Sequence, residues 1–337
     1  SVTGVQTCAL PILFEHFPIS AKDFDGPVLV TGAGGCIGSW TLALLDHAGV
    51  KVHAFDLQVD QRRPSLLMDA AALQRITWHA GDIADTQAVK SVVSQSGACA
   101  IIHLAALQVP FCRADPVAGA LVNVVGTVNV FEAAKACGVS RVTYASSVAA
   151  YGALDNGGAM STLYGAYKYC NEQTAKVYSE ENQLHSVGIR PGVVYGVGRD
   201  QGMTSKTTVA ILAAAAGQPY DIPFSGDVSW LYAGEVASAF IRSVSVERTE
   251  ATVFDQNGQY AKVDEGLAML RQLAPEAKVQ ITGSPLPFPM NHSDDPLRAY
   301  IGDYGRMPLQ EGIAFTYKRF QHLISQGLID VRRNLQG

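Results

Sequence analysis

Two patterns of apolar and polar positions take turns along this chain. One is a short unbroken apolar run, as at 28–30, the mark of a strand covered on both faces. The other is a helical stripe, as in Ile37, Trp40, Leu44 and Leu45 just after it. Strand-like runs return at 51–56, 76–79, 99–104, 141–145 and 186–191. Leu121, Val124, Val125, Val128 and Phe131 supply a long amphipathic helix between the fourth and fifth of these strands. Alternation of this kind predicts a parallel sheet closed by right-handed crossovers. Beyond the sixth strand the periodicity is mixed. It predicts a buried helix over 207–216, strands near Asp221 and Val253, and helices near Glu235, Glu265 and Leu309. A proline-punctuated surface connector is expected at 284–289.

The turn between the first strand and its helix holds Gly32, Gly35 and Gly38. The first glycine can take a tight turn, the second lets backbone approach a pyrophosphate, and the third lets helix and strand pack closely. The amides of Cys36 and Ile37 open the helix, where free N–H groups and the helix dipole favour an anion. The second strand ends in Asp56, 18 residues past Gly38, close to the ~20 expected of a carboxylate that binds a ribose diol. A carboxylate there repels a 2′-phosphate, which predicts NAD rather than NADP. Asp82 and Ile83, after the third strand, stand where an adenine could be held. Small residues at Ala105 and Ala106 let the chain pass close to a cofactor. His103 lies inside an apolar strand and reads as a core histidine.

The 337 residues suit one large α/β domain or one and a half. With 48% hydrophobic and 16% charged residues, a large core can be buried. The net charge of −5 and the lack of a basic run argue against a nucleic-acid partner. No apolar run of ~18 residues suggests a membrane span. Six cysteines show neither C-x-x-C pairing nor metal spacing, so disulfides and metal are not expected, and a reducing, cytoplasmic setting is. Cys36 and Cys170 are near the expected site and open to oxidants. Residues 2–12 resemble the translation of a sequencing-library adapter, as in a gene assembled from environmental reads, and are set aside with the head at 1–26. A signal peptide is the competing idea, but a basic start is missing and Pro11, Glu15 and His16 break the apolar run. The native start is expected between residues 18 and 27.

Ser147 follows the fifth strand, at the edge where ligands of such sheets bind. Tyr164 and Lys168 come next, four apart on one helical face. A free phenol titrates near ~10, too high for a base at neutral pH. A neighbouring ammonium and an oxidised nicotinamide would favour the phenolate. The set suits hydride transfer at a carbinol carbon, with Tyr164 moving the hydroxyl proton and Ser147 holding the oxygen.

These pieces together resemble the extended short-chain dehydrogenase/reductases, in the branch of NAD-dependent epimerases and dehydratases. The matching segments are TGAGGCIG at 31–38, Asp56, GDI at 81–83, HLAA at 103–106, NVVGTVNVFEAA at 123–134, SSVAAYG at 146–152, YGAYK at 164–168 and RPGVVYG at 190–196. The resemblance implies a Rossmann-type doubly wound parallel sheet over 27–190. It implies a smaller C-terminal α/β substrate domain over 191–337, with some segments returning to the first. It adds Leu104, Ala105, Ala106, Asn123, Tyr164, Lys168, Pro191 and Val193 to the cofactor contacts. Substrate contacts are expected from Gln108, Ser147, Ala149, Arg199 and Thr204. A homodimer through the helices carrying Asn123 and Tyr164 is also implied.

Two departures narrow the chemistry. Dehydratases of this branch carry an acid pair after the catalytic hydroxyl residue, whereas Ser147 is followed by Val148 and Ala149. Nucleotide-sugar epimerases carry an arginine that clamps the diphosphate, and its position here corresponds to Val228, with Arg190, Arg199 or Arg242 as the alternative clamps. An NAD-dependent dehydrogenase or reductase of a sugar, sugar acid or similar small carbonyl is therefore expected. A sugar 4-epimerase that returns the hydride is the alternative, and a non-catalytic NAD-binding protein the second.

Overall fold

The computed structural model describes residues 13–154, 161–286 and 291–335. Its centre is β1 (Val28–Thr31), all four residues of which are buried. On one side lie β2 (Val52–Asp56) and β3 (Thr77–Ala80), on the other β4 (Ala100–His103), β5 (Arg141–Ala145) and β6 (Ser186–Pro191). β7 (Val193–Tyr195), β8 (Tyr220–Ile222) and β9 (Asp227–Tyr232) follow outside this sheet, and β10 (Thr252–Gln256) returns to its edge beside β6. The seven strands run in the order β10-β6-β5-β4-β1-β2-β3, every neighbouring pair parallel. The order turns back between β1 and β4, which opens a crevice at their carboxyl ends. This is the expected Rossmann-type sheet.

Helices cover both faces. α1 (Cys36–His47) buries its run from Gly38 to Leu45. α2 (Thr86–Ser96) starts on Asp85, whose carboxylate accepts from the amides of Gln87 and Ala88, and ends on left-handed Gly97. α3 (Pro116–Cys137) carries one wide π turn at Leu121–Val125. By length and hydropathy this helix could cross a membrane, contrary to the expectation that no stretch would qualify. Half of its most apolar window is buried against the protein. α4 (Leu163–Asn182) begins on Thr162, whose hydroxyl accepts from the Gly165 amide, and so fixes the helix start two residues before Tyr164.

The C-terminal part adds α5 (Lys206–Ala215), α6 (Ala233–Ser243), α7 (Val263–Leu273) and α8 (Leu309–Ser325), with β11 (Gln259–Lys262) and β12 (Val279–Ile281). β9 joins β7 and β11 in a three-stranded sheet, and β12 pairs with β8. β9, β11 and β12 were not expected. β11 and β12 have only four and three residues, too few for an alternation to show. β9 is buried from Val228 onward, so it lacks the polar face that period-two reading needs.

Folded structure also starts before residue 27, where the dinucleotide domain was expected to begin. Leu13, Phe14 and Phe17 belong to the core, and the Phe17 ring stacks 6.2 Å from that of Tyr232. After β5 a short helical segment runs over Val148–Leu154, and residues 155–160 lie outside the described residues. Of the proline connector, Pro285 bridges to Ser225, and 287–289 lie outside the described residues.

Candidate active site

The glycine turn is built by close approach. Gly32 has φ +68°, and a side chain there would drive a Cβ to within 2.5 Å of the Ala105 amide nitrogen. At Gly38 a Cβ would meet the Gly32 carbonyl oxygen at 2.3 Å. Only glycine lets the turn sit this tightly between β1, β4 and α1. The Asp56 carboxylate locks the turn from the next strand: Oδ2 accepts from Gly34 N at 2.8 Å and Oδ1 from Leu57 N at 2.8 Å. Each oxygen keeps acceptor capacity toward the cavity that Asp56 lines.

That cavity, about 760 Å³, runs along the carboxyl ends of the strands. Gly32, Gly35, Cys36, Ile37, Gly38 and Asp56 line it at one end, with Asp82 and Ile83 beside them. Leu104, Ala105 and Ala106 form part of its floor, and Pro191 and Val193 part of its wall. Ser147, Ala149, Tyr164 and Lys168 line it as well, with Gln108, Arg199 and Thr204. Expected site residues from eight segments of the chain thus meet in one cavity.

Asn123 is the exception. It is buried in the π turn and does not reach the cavity. Its amide donates to the carbonyls of Leu107 at 3.1 Å and Gly119 at 2.9 Å, and its backbone carbonyl accepts from Asn171. It therefore positions the segment that carries Gln108. Cys170 is exposed and also absent from the cavity lining. The Cys36 thiol does line it, but burial pushes it up to about 11, which keeps it protonated and unreactive at neutral pH. His103 accounts for itself as a core residue: its ring nitrogens lie 2.7 Å from Thr31 Oγ1 and 3.1 Å from Thr127 Oγ1, and burial holds it neutral, down to about 3.

Around Tyr164 the polar groups converge. The Lys168 ammonium lies 5.6 Å from the centre of the Tyr164 ring and donates to the Ala145 carbonyl at 2.7 Å. Burial lowers Lys168 to about 8. Burial raises the Tyr164 phenol, while the Ser147 hydroxyl and the Arg199 guanidinium pull it back down. The phenol was expected to be depressed by Lys168 beside an oxidised nicotinamide. Among the chain's own groups desolvation dominates, and the opposing help comes from Ser147 and Arg199.

Several participants were not anticipated. Gly165 lets α4 meet the turn after Ser147: a Cβ there would lie 2.2 Å from the Ala149 carbonyl oxygen. Behind the strand end, Glu172 is buried and accepts from Ser146 Oγ at 2.5 Å and from Arg190 Nε at 2.7 Å. Arg190 also faces Asp255 on β10 at 3.7 Å, and Asp255 accepts from the Tyr151 hydroxyl at 2.6 Å. The network clamps the strand end next to Ser147. Its sequence signal was present: Glu172 stands four residues after Lys168, on the same helical face.

The cradle fits a dinucleotide: bare amides at a helix start, a close-packed glycine turn and an acid at the second strand end. The pattern of the NAD dependent epimerase/dehydratase family matches residues 28–253. The chain belongs to that family. It is 32% identical over 171 residues to a UDP-glucose 4-epimerase of Rhizobium leguminosarum bv. trifolii, covering 48% of this chain and 50% of that protein. It is 31% identical over 191 residues to an NAD-dependent glucose-6-phosphate dehydrogenase of Haloferax volcanii, covering 50% and 68%. The chain thus spans about half the length of the first relative and about two thirds of the second. The fold is shared with the Thermus thermophilus UDP-glucose 4-epimerase, solved in complex with NAD: TM-score 0.72 at 24% identity, over 88% of this chain and 99% of that one. The relatives thus include an epimerase and an NAD-dependent dehydrogenase. Here Val148 and Ala149 bring no acid to the cavity wall, and Val228 is wholly buried in the core rather than in the cavity lining.

Proposed function

We propose that this chain is an NAD-preferring oxidoreductase of a small polar secondary alcohol or ketone. The observation that carries the reading is the convergence of Ser147, Tyr164 and Lys168 on one cavity with the glycine cradle and Asp56. Gly32, Gly35, Gly38 and the amides of Cys36 and Ile37 would hold the pyrophosphate, Asp56 the adenosine ribose, and Asp82 and Ile83 the adenine. When bound, the nicotinamide supplies the hydride acceptor or donor. Ser147 holds the substrate oxygen, and Tyr164 takes the hydroxyl proton at its phenolic oxygen during oxidation, returning it during reduction. Lys168 lies over the Tyr164 ring, and Ser147 and Arg199 are the groups that favour the ionised phenol.

The preference for NAD rests on more than the Asp56 charge. Both arginines near that end of the cavity are already paired: Arg62 Nε with Asp60 at 2.7 Å, and Arg63 Nε with Asp200 at 2.9 Å. Neither of these two guanidiniums is left free for a 2′-phosphate.

The second reading is a sugar 4-epimerase that uses the same hydride step and returns the hydride to the other face. Epimerases among the relatives favour it, and the buried Val228 weighs against a UDP-sugar. The deciding measurement is NADH formation with purified enzyme, NAD and a panel of aldonates, free sugars, simple ketones and UDP-sugars. Stoichiometric NADH supports the oxidoreductase; isomerised product without net NADH supports the epimerase. Tyr164→Phe should lower turnover by about 10³-fold with NAD binding retained. Full activity in that variant would sink both readings. A homodimer through the outer faces of α3 and α4 is part of this proposal.

A further inference from the structure

Among the described residues, four cationic side chains line the cavity: Arg62, Arg63, Lys168 and Arg199. Arg62 and Arg63 are ion-paired with Asp60 and Asp200, and Lys168 is held against the Ala145 carbonyl beside Tyr164. Arg199 differs. Among the described residues it has no carboxylate partner, and its one side-chain hydrogen bond is from Nη2 to Thr204 Oγ1 at 3.3 Å. Its Nε is buried and has no partner. A guanidinium left this way in a cavity wall is short of acceptors. It stands close enough to Tyr164 to favour the phenolate.

The loop that carries Arg199 is held in place. Trp40 Nε1 donates to the Val197 carbonyl at 2.9 Å, tying the loop to α1. The Arg199 amide donates to the Gly196 carbonyl at 3.1 Å. Gly202 then lets the loop fold back on itself. A Cβ there would lie 2.3 Å from Gln108 Oε1 and 3.2 Å from Arg199 Nη2, so Gln108 and Arg199 converge on the same spot. A guanidinium fork, a carboxamide and the Thr204 hydroxyl thus form one polar corner of the cavity that Ser147 and Tyr164 also line.

We infer that this corner binds the carboxylate of the substrate, so that the enzyme acts on a hydroxy acid or its oxo acid, with Arg199 as the anchoring residue. The inference rests on the hydride-transfer reading above and names its substrate class. The charge balance selects a carboxylate: one unpaired guanidinium matches one negative charge, and its planar fork matches a carboxylate in two hydrogen bonds. A phosphate dianion would call for further donors of positive charge. The buried Val228 removes the expected clamp for a diphosphate.

Two measurements with the full chain test this. Butyrate and butyramide are titrated into NAD-loaded enzyme by calorimetry. NADH formation is followed with lactate, 3-hydroxybutyrate and gluconate against propane-1,2-diol, methyl 3-hydroxybutyrate and glucose, with glucose 6-phosphate and UDP-glucose beside them. The wild type should bind butyrate and not butyramide, and should favour the acids. Arg199→Gln should lower kcat/KM for the acids about 10- to 100-fold more than for the uncharged partners, whose smaller loss in kcat follows from the support Arg199 gives the phenolate, and the extra loss on the acids should lie mostly in KM. Arg199→Lys should keep part of the acid preference, and it stands in if the glutamine variant does not fold. A loss of NAD affinity in Arg199→Gln as large as the loss in acid turnover would assign Arg199 to the cofactor and overturn the inference. Preference for glucose 6-phosphate or UDP-glucose would overturn it as well. Turnover of uncharged alcohols alone, abolished by Tyr164→Phe, would remove the carboxylate corner and leave the hydride-transfer reading standing. Arg199-dependent butyrate binding with no turnover anywhere would do the reverse.

Discussion

At Tyr164 two opposed effects meet, and their balance sets how the enzyme should respond to pH. Burial holds the phenol protonated, while Ser147 and Arg199 favour its ionised form. A raised phenol means that little base is present at neutral pH, so alcohol oxidation should speed up as pH rises and the proton leaves. The Tyr164→Phe variant should lose that rise together with its turnover. Asp56 permits a separate check. Its carboxylate both fixes the glycine turn through Gly34 and lines the cavity. Asp56→Asn should weaken NAD about 10-fold or more and NADP much less, as two titrations of cofactor binding will show. An unchanged ratio would mean that the carboxylate serves the turn alone.

Among the elements, α4 matters most to the chemistry. Thr162 fixes where it starts, and Tyr164, Lys168 and Glu172 then follow along one face. Gly165 lets this helix close against the turn after Ser147, with no room for even a methyl group. Gly165→Ala should push the Ser147 turn away from α4. We expect kcat to fall about 10²-fold with NAD affinity within a factor of about three, measured by steady-state kinetics and cofactor titration. Unaltered kcat would show that the contact does not set the distance between the serine and the tyrosine. The same spacing was open to view in the sequence for Tyr164 and Lys168. The role of Gly165 was not, because a helical glycine has no signature until its neighbour is known.

Over the whole molecule, the outer faces of α3 and α4 carry apolar side chains left open to solvent. Val117, Leu121 and Val125 recur every four residues along α3, and Leu163 and Val177 are exposed on α4. Exposed stripes of this kind mark association surfaces. The enzyme should run as two chains in sedimentation or native mass measurements, and Val117→Glu with Leu121→Glu should leave single chains with intact secondary structure. A wild-type chain that is single at micromolar concentration removes the dimer proposal. These five side chains do not line the cavity, so the surface and the chemistry can be tested apart.

What the sequence determined alone were the features coded in neighbouring residues. These are the strand–turn–helix cradle, the acid ending the second strand, the tyrosine and lysine one helical turn apart, and the core nature of His103. Periodicity and local chain geometry specify them, so no distant contact is needed to read them. The tertiary structure decided whatever depends on partners far apart in the chain. It turned Asn123 away from the cavity and into the π turn, and it put Leu13, Phe14 and Phe17 into the core. It joined Glu172, Arg190 and Asp255 behind the serine, and it gave Arg63 a carboxylate while leaving Arg199 without one among the described residues. Whether a charge is paired depends on which segments fold against it, and a linear pattern does not contain that information.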